Sequence, residues 1–223
     1  MFVTSTKDYN LYSILPFASY RALTTQTDPA LSPCAFDVKR DGFAATGGAT
    51  VLVLEELEHA RRRGAAIHAE AAGWGQTSDG YDVMAPEPDG EGLARAMKLA
   101  LDDAKLAPGD VDYVNAHATS TPAGDRAELR ALKTVFGSKS PAISSTKSQT
   151  GHGLSLAGAM EAAFCCMAIR EKFIPPSMNI TELDSEAGGL NVVTQPIDGT
   201  PSVALSNSSG FGGANVVLVF KQP

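Results

Sequence analysis

Two histidines and a lysine set in polar, glycine-bearing loops are the residues best suited to chemistry in this 223-residue chain. One loop is Asn115-Ala116-His117-Ala118-Thr119-Ser120-Thr121, and the next is Ser145-Thr146-Lys147-Ser148-Gln149-Thr150-Gly151-His152-Gly153. A third runs from Ser206 to Asn215 and reads Ser-Asn-Ser-Ser-Gly-Phe-Gly-Gly-Ala-Asn. Together they supply imidazoles, one ammonium and flexible backbone amides, which carbon–carbon bond chemistry on a thioester would use. They supply no obvious nucleophile.

The elements that must position these loops alternate in type. Apolar runs at Thr50 to Leu54, Ile67 to Trp74, Val111 to Ala116, Ile143 to Ser145, Val203 to Leu205 and Val216 to Phe220 read as strands. Helical spacing covers Glu55 to Arg63, Leu93 to Leu106 and Asp125 to Phe136, each stopped by glycine or by Pro108-Gly109. The Ala-rich stretch Gly153 to Ile169 reads as a buried helix. Such alternation predicts an α/β layered domain, with His117 at the C-terminal end of a strand, where ligands and catalysis concentrate in α/β sheets. Residues 1–36 lack a strong period and read as loop and short helix.

Bulk properties narrow the function classes. A net charge of -7 argues against a nucleic-acid footprint. Arg61-Arg62-Arg63 suits a solvated helix end better than a docking site. No stretch approaches the ~20 apolar residues of a membrane span, and Met1 to Tyr9 lacks the layout of a secretory signal. Cys34, Cys165 and Cys166 make no disulfide framework and point to a reducing, cytoplasmic setting. Cys165 and Cys166 lie in an apolar run and read as small buried hydrophobes. His59 and His68 sit outside any loop motif and read as surface or packing residues. Zinc at His117 and His152 is disfavoured, because no carboxylate or cysteine falls at metal-helix spacing.

The three loops, in this order and spacing, resemble the C-terminal half of β-ketoacyl-[acyl-carrier-protein] synthases, with the ketoacyl synthase I branch most similar. The resemblance runs from about Tyr20 to Phe220 and includes Arg40-Asp41-Gly42-Phe43 and Leu54-Glu55-Glu56-Leu57-Glu58-His59-Ala60. It implies a thiolase-like α/β fold: the C-terminal half of an αβαβα sandwich, with a mixed five-stranded sheet flanked by helices. Residues 1–36 would be the tail of a preceding half, and 37–223 the C-terminal domain. Alone, such a half is expected to expose a large apolar patch.

The implied activity is decarboxylative condensation of an acyl thioester with malonyl-carrier protein. No covalently bound cofactor is implied; the phosphopantetheine thioester of acyl carrier protein is substrate. Carried over by position, His117 and His152 are the active-site histidines, and Lys147 is the lysine beside them, held by the carboxylate of Glu128. Its ammonium would keep the second histidine neutral. Phe211 is the gating phenylalanine, in a loop made mobile by Gly210, Gly212 and Gly213, and its amide is half of an oxyanion hole. Thr119 and Thr121 would bond the phosphopantetheine arm. Asn115, Glu161, Ser206 and Asn207 match a monovalent-cation site.

The family's nucleophilic cysteine belongs to the first half, and none of the three cysteines here sits in an equivalent motif. This chain alone is therefore expected to be inactive. Its implied partners are the missing N-terminal half, acyl carrier protein and, when complete, a second copy in a homodimer; neither nucleic acid nor membrane is implied. Ala118 replaces the usual glycine, and Ser209 an aromatic residue, which leaves acyl-chain preference open. The other readings are a non-catalytic chain-length-factor-like subunit, against which the retained His117, His152, Lys147 and Glu128 argue, and a hydrolase using Ser145 or Ser206, which lacks a nucleophile-elbow pattern.

Overall fold

A computed structural model describes residues 1–8, 10–199 and 201–223, so Tyr9 and Thr200 lie outside the described residues. The strands are β1 (Phe2–Lys7), β2 (Gly48–Val53), β3 (Glu70–Ser78), β4 (Tyr113–Asn115), β5 (Ala142–Ser144), β6 (Phe173–Ile174), β7 (Asn191–Val192), β8 (Ile197–Asp198), β9 (Val203–Gly210) and β10 (Ala214–Lys221). The helices are α1 (Leu11–Ser19), α2 (Leu57–Arg62), α3 (Glu91–Ala104), α4 (Pro122–Phe136), α5 (Lys147–Thr150) and α6 (Ala157–Glu171).

The main sheet has the order β3-β10-β9-β4-β5-β7. It is mixed: β3, β10 and β9 are antiparallel, whereas β9, β4, β5 and β7 run parallel. The expected count of five becomes six, because the two-residue edge strand β7 joins β5. A run that short carries no periodic signal. The parallel run decides where the chemistry can sit. It brings the carboxyl ends of β4, β5 and β9 to one end of the sheet. The loops of His117 and Lys147 follow β4 and β5. Most of the third expected loop is strand instead: Ser206 to Gly210 lie in β9, and only Phe211 to Gly213 turn into β10.

Strand alternation gives the sheet two apolar faces. Val114, Ile143, Leu205 and Val217 join α3 and α4 in one buried cluster, while Tyr113, Ala142, Ala204 and Phe220 join α6 in another. Helix α6 also packs against β2, the partner of β1 in a separate two-stranded sheet. The layers are therefore helices α3 and α4, the six-stranded sheet, α6, and the β1–β2 pair. Residues 1–36, read as loop and short helix, contribute β1 as well as α1. Beyond them the outer β2 side chains Val51 and Val53 are 59% and 65% exposed, and α1 buries none of its residues.

Glycine sets the closeness of α3 to the sheet. A Cβ on Gly75 would lie 2.2 Å from Ala96 O and 2.7 Å from Ala100 N. Both are backbone atoms, so neither can rotate aside. Gly75→Val should cost about 3 kcal/mol by overpacking. Gly109→Ala, whose Cβ meets nothing within 4 Å, should stay within about 0.5 kcal/mol of the parent. Urea denaturation of the two variants checks this, and equal midpoints would refute the packing account.

Candidate active site

His117 follows β4 by two residues. Its loop is fixed from α4: Glu128 accepts the backbone N–H groups of His117 (2.8 Å) and Ala118 (2.7 Å) and the Asn207 side-chain amide (2.6 Å). Asp125, one turn earlier, accepts the N–H of Ser120 at 3.1 Å, and Ser120 is held at a left-handed φ of 68°. Thr119 and Thr121 place their hydroxyls 3.0 Å apart. Thr119 lines a cavity of about 40 Å³ with His117, Glu128, Ser209 and Asn215, room for about one water.

β5 leads into the single-turn helix α5, a helix the spacing did not suggest, and Lys147 opens it while His152 follows its end. Gly151 takes φ 71°, and a Cβ there would come within 2.8 Å of Ala44 O, so only glycine makes this exit without strain. His152 then donates its N–H to Ala44 O at 2.7 Å.

The three side chains converge. The His117 and His152 rings stand perpendicular, with centroids 5.3 Å apart. Lys147 Nζ lies 3.2 Å from His117 Nδ1. An ammonium can only donate, so Nδ1 accepts, and a neutral His117 carries its proton on Nε2. Burial first, and Lys147 second, hold His152 down to about 3; the same two causes, with His152 third, hold His117 well below the ordinary range. Both rings are neutral at pH 7. Lys147 lowers the second histidine as expected, but it also stands in contact with the first, and burial is the larger cause at both.

The lysine's carboxylate partner is Glu161 of α6 rather than Glu128. Glu128 is already taken by two backbone amides and Asn207 on the α4 side. Lys147 and Glu161 meet beneath the loops, 1% and 0% exposed. Burial pushes the Glu161 carboxyl up to about 7 against the pull of Lys147. Sequence spacing could not choose between two carboxylates on different helices, since the choice depends on which helix lies under the strand ends.

Of the four residues expected around a cation, Asn115 and Ser206 sit side by side in register on β4 and β9. Among the described residues Glu161 Oε2 and Asn207 Oδ1 are buried acceptors with no donor, whereas Asn115 leaves a donor, Nδ2, unpaired. Phe211, 51% exposed, lies in the β9–β10 turn, where Gly212 and Gly213 both take positive φ. Gly212 donates to Val83 O at 2.7 Å.

Two aromatic residues with no assigned role complete the arrangement. Phe43 stands edge-on to His152 with centroids 5.0 Å apart, and Phe17 of α1 lies 5.6 Å from Phe43 and 5.9 Å from Phe211. A column of rings thus links the loop aromatic to the histidines. The Arg-Asp-Gly-Phe stretch was a signal for Phe43. Phe17, in an aperiodic segment, had none.

No cysteine is poised as a nucleophile. Burial is the leading cause that raises all three thiols: Cys34 and Cys166 to about 11, and Cys165 well above its usual value. The nucleophilic form is the thiolate, which these thiols avoid at neutral pH. His59 and His68 are exposed, and His59 pairs with Glu55 at 3.1 Å. Arg61 and Arg63 pair with Glu58 and Glu55 on the surface. Among the described residues no helix is long and apolar enough to cross a membrane.

A mixed sheet with three loops at one end, two perpendicular imidazoles and a buried Lys–Glu pair define a thiolase-like ketosynthase architecture. Residues 68–181 match the model of the β-ketoacyl synthase C-terminal domain, and the chain belongs to the β-ketoacyl synthase family. It is 48% identical over 208 residues to 3-oxoacyl-[acyl-carrier-protein] synthase 1 of Escherichia coli (92% of this chain, 50% of the relative). With synthase 2 of Staphylococcus aureus it shares 46% over 211 residues (94% and 52%). The chain spans about half the length of the curated relatives it matches. A β-ketoacyl synthase structure from Burkholderia phymatum superposes with TM-score 0.95 at 40% identity, covering 100% of this chain and 54% of that one. A type II PKS acyl-carrier protein in complex with its ketosynthase, bound to a hexaketide, gives TM-score 0.94 at 33% identity (100% and 56%).

Proposed function

We propose that this chain supplies the C-terminal half of a β-ketoacyl-[acyl-carrier-protein] synthase, carrying the histidines, the lysine and the gating loop of a decarboxylative condensation. The observation that carries the reading is the convergence of neutral His117, neutral His152 and Lys147 at the ends of β4 and β5. In this reading the carboxylate–Cα bond of a malonyl thioester breaks, CO2 leaves, and the electron pair becomes an enolate. Nε2–H of His117, with His152, donates to the thioester oxygen as its charge develops. The enolate carbon then attacks an acyl thioester, whose thiolate departs. The Phe211 amide would stabilise that second oxyanion, and Thr119 and Thr121 would bond the pantetheine arm of acyl carrier protein.

The acyl-bearing thiol must come from another polypeptide segment, because the buried Cys34 and Cys165 and the partly buried Cys166 all have thiols with raised pKa. The complete site would form with a half bearing a reactive cysteine, in a cytoplasmic homodimer. Glu161 and Asn207, each with an unpaired buried acceptor, would hold a monovalent cation, which would add positive charge beside the Lys147 pair; Asn115, whose unpaired buried atom is a donor, fits less well. A chain-length-factor-like subunit would have no use for neutral histidines held by a buried lysine, which favours the catalytic reading.

The test is reconstitution. The chain alone should neither decarboxylate malonyl-carrier protein nor be labelled by cerulenin at any of its three cysteines. Mixed with the cysteine-bearing half of the Escherichia coli relative, it should release CO2 and form β-ketoacyl product. Labelling at Cys34, Cys165 or Cys166, or a folded complex that stays inactive, would overturn the reading.

A further inference from the structure

The segment Asp41 to Thr46 threads between three parts of the site. On one side Phe43 donates its N–H to Ala22 O at 2.9 Å and accepts from Thr24 N–H at 3.0 Å. On the other, Ala44 O accepts from His152 N–H, and Thr46 N–H donates to His152 O at 3.1 Å. At its start Gly42 donates to Ser120 O at 2.9 Å, three residues after His117. The strap therefore touches both histidine loops and the chain that follows α1.

It has no slack. Gly42 takes φ 142°, and a Cβ there would lie 2.5 Å from the Leu23 carbonyl carbon. The strap presses Phe43, 4% exposed, edge-on against His152, with Phe17 behind it. Among the described residues Asp41 alone anchors it by side chain: Oδ1 accepts from Thr24 Oγ1 (2.6 Å), and Oδ2 accepts from Thr25 N–H (2.9 Å) and Thr25 Oγ1 (2.8 Å). Burial works to raise this carboxyl, but the donors from Thr24 and Thr25 hold it below its ordinary value, so the anchor is charged at neutral pH.

We propose that Asp41 is a positioning residue for both histidines: by tying Thr24 and Thr25 to the strap it seats Phe43 against His152 and the Gly42 amide against the His117 loop. Asp41 is not among the groups placed at the reacting atoms; it acts through backbone and ring contacts. The inference rests on the reading of His117 and His152 as the reacting groups, but its test needs no turnover.

The test follows the imidazole nitrogens of the uniformly 15N-labelled chain by NMR. In the parent, His152 should stay neutral down to pH 4. In Asp41→Ala the His152 signals should move, and its titration midpoint should rise by about one pH unit or more as water reaches the ring; His117 should shift less. The double variant Thr24→Val/Thr25→Val, which keeps the Thr25 N–H, should give a smaller change in the same direction, and it decides the matter if Asp41→Ala does not fold. Arg130→Ala cuts the surface pairs to Glu186 and Asp89 and controls for general loosening. Unmoved His152 signals in the Asp41 and threonine variants, or equal movement in Arg130→Ala, would overturn the inference. Altered histidines combined with an inactive reconstituted complex would instead leave Asp41 in place and sink the proposed function.

Discussion

Replacing Lys147 with methionine should cost about 3 to 5 kcal/mol of stability at pH 8, the largest loss expected from any single side chain here. The reason is the company the lysine keeps. Lys147 and Glu161 are 1% and 0% exposed; the ammonium bonds Oε1, and Oε2 meets no donor among the described residues. Removing the ammonium leaves a carboxylate that can neither be hydrated nor paired, and burial already lifts it to about 7. The sign with pH follows. A carboxyl whose folded pKa exceeds its unfolded value contributes stability at low pH and loses it as pH rises from about 4.5 through 7. Without Lys147 that upper limit climbs further, so the defect should deepen between pH 6 and 8. The double variant Lys147→Met/Glu161→Leu should recover most of the loss, since two apolar groups need no partner. Urea midpoints of the parent, single and double variants at pH 6 and 8 measure this. A double variant no more stable than the single one would show that the pair is not the cause.

The second large effect is chemical. In the reconstituted complex, His152→Ala should slow CO2 release from malonyl-carrier protein by about 10² to 10³, the usual consequence of deleting one oxyanion donor. His117→Ala should do the same, and lysine at either position should not rescue, because a charged donor there would face Lys147. The pH dependence separates donation by a neutral ring from general acid catalysis by imidazolium. His152 is held down to about 3 and His117 well below its usual value, so the rate should be flat from pH 8 to pH 5. A fall in rate on raising the pH through 6 or 7 would mean that a protonated imidazole is required. The same depressed values bear on stability. As pH drops below about 6.5, the unfolded chain binds a proton at each of these rings that the native chain refuses. Each ring then costs about 1.4 kcal/mol per pH unit, a slope that His152→Gln should reduce.

Much of this architecture was written locally. Val111 to Ala116 and Asp125 to Phe136 show their period in a short window, and β4 and α4 form there with shifts of a few residues. The three loops announce themselves through Gly, Thr, Ser and Asn at strand ends, and their order and spacing carry the family. The edge strand β7 and the strand β1 did not show, because two residues, or a polar stretch such as Thr4-Ser5-Thr6, give no alternation to detect.

The chain's sequence by itself determined which groups are present: two imidazoles, an ammonium, a glycine-flanked aromatic, and three cysteines outside any nucleophile motif. Only the tertiary structure decided which carboxylate meets Lys147, that burial more than charge keeps both rings neutral, and that Phe17 and Phe43 continue the line from Phe211 to His152. The division has a physical cause. Residue type and spacing within one element are local properties, fixed by a few neighbouring dihedrals. Partnership and desolvation depend on which helix lies beneath which strand end, and that is settled only when α4 and α6 pack on opposite faces of the sheet.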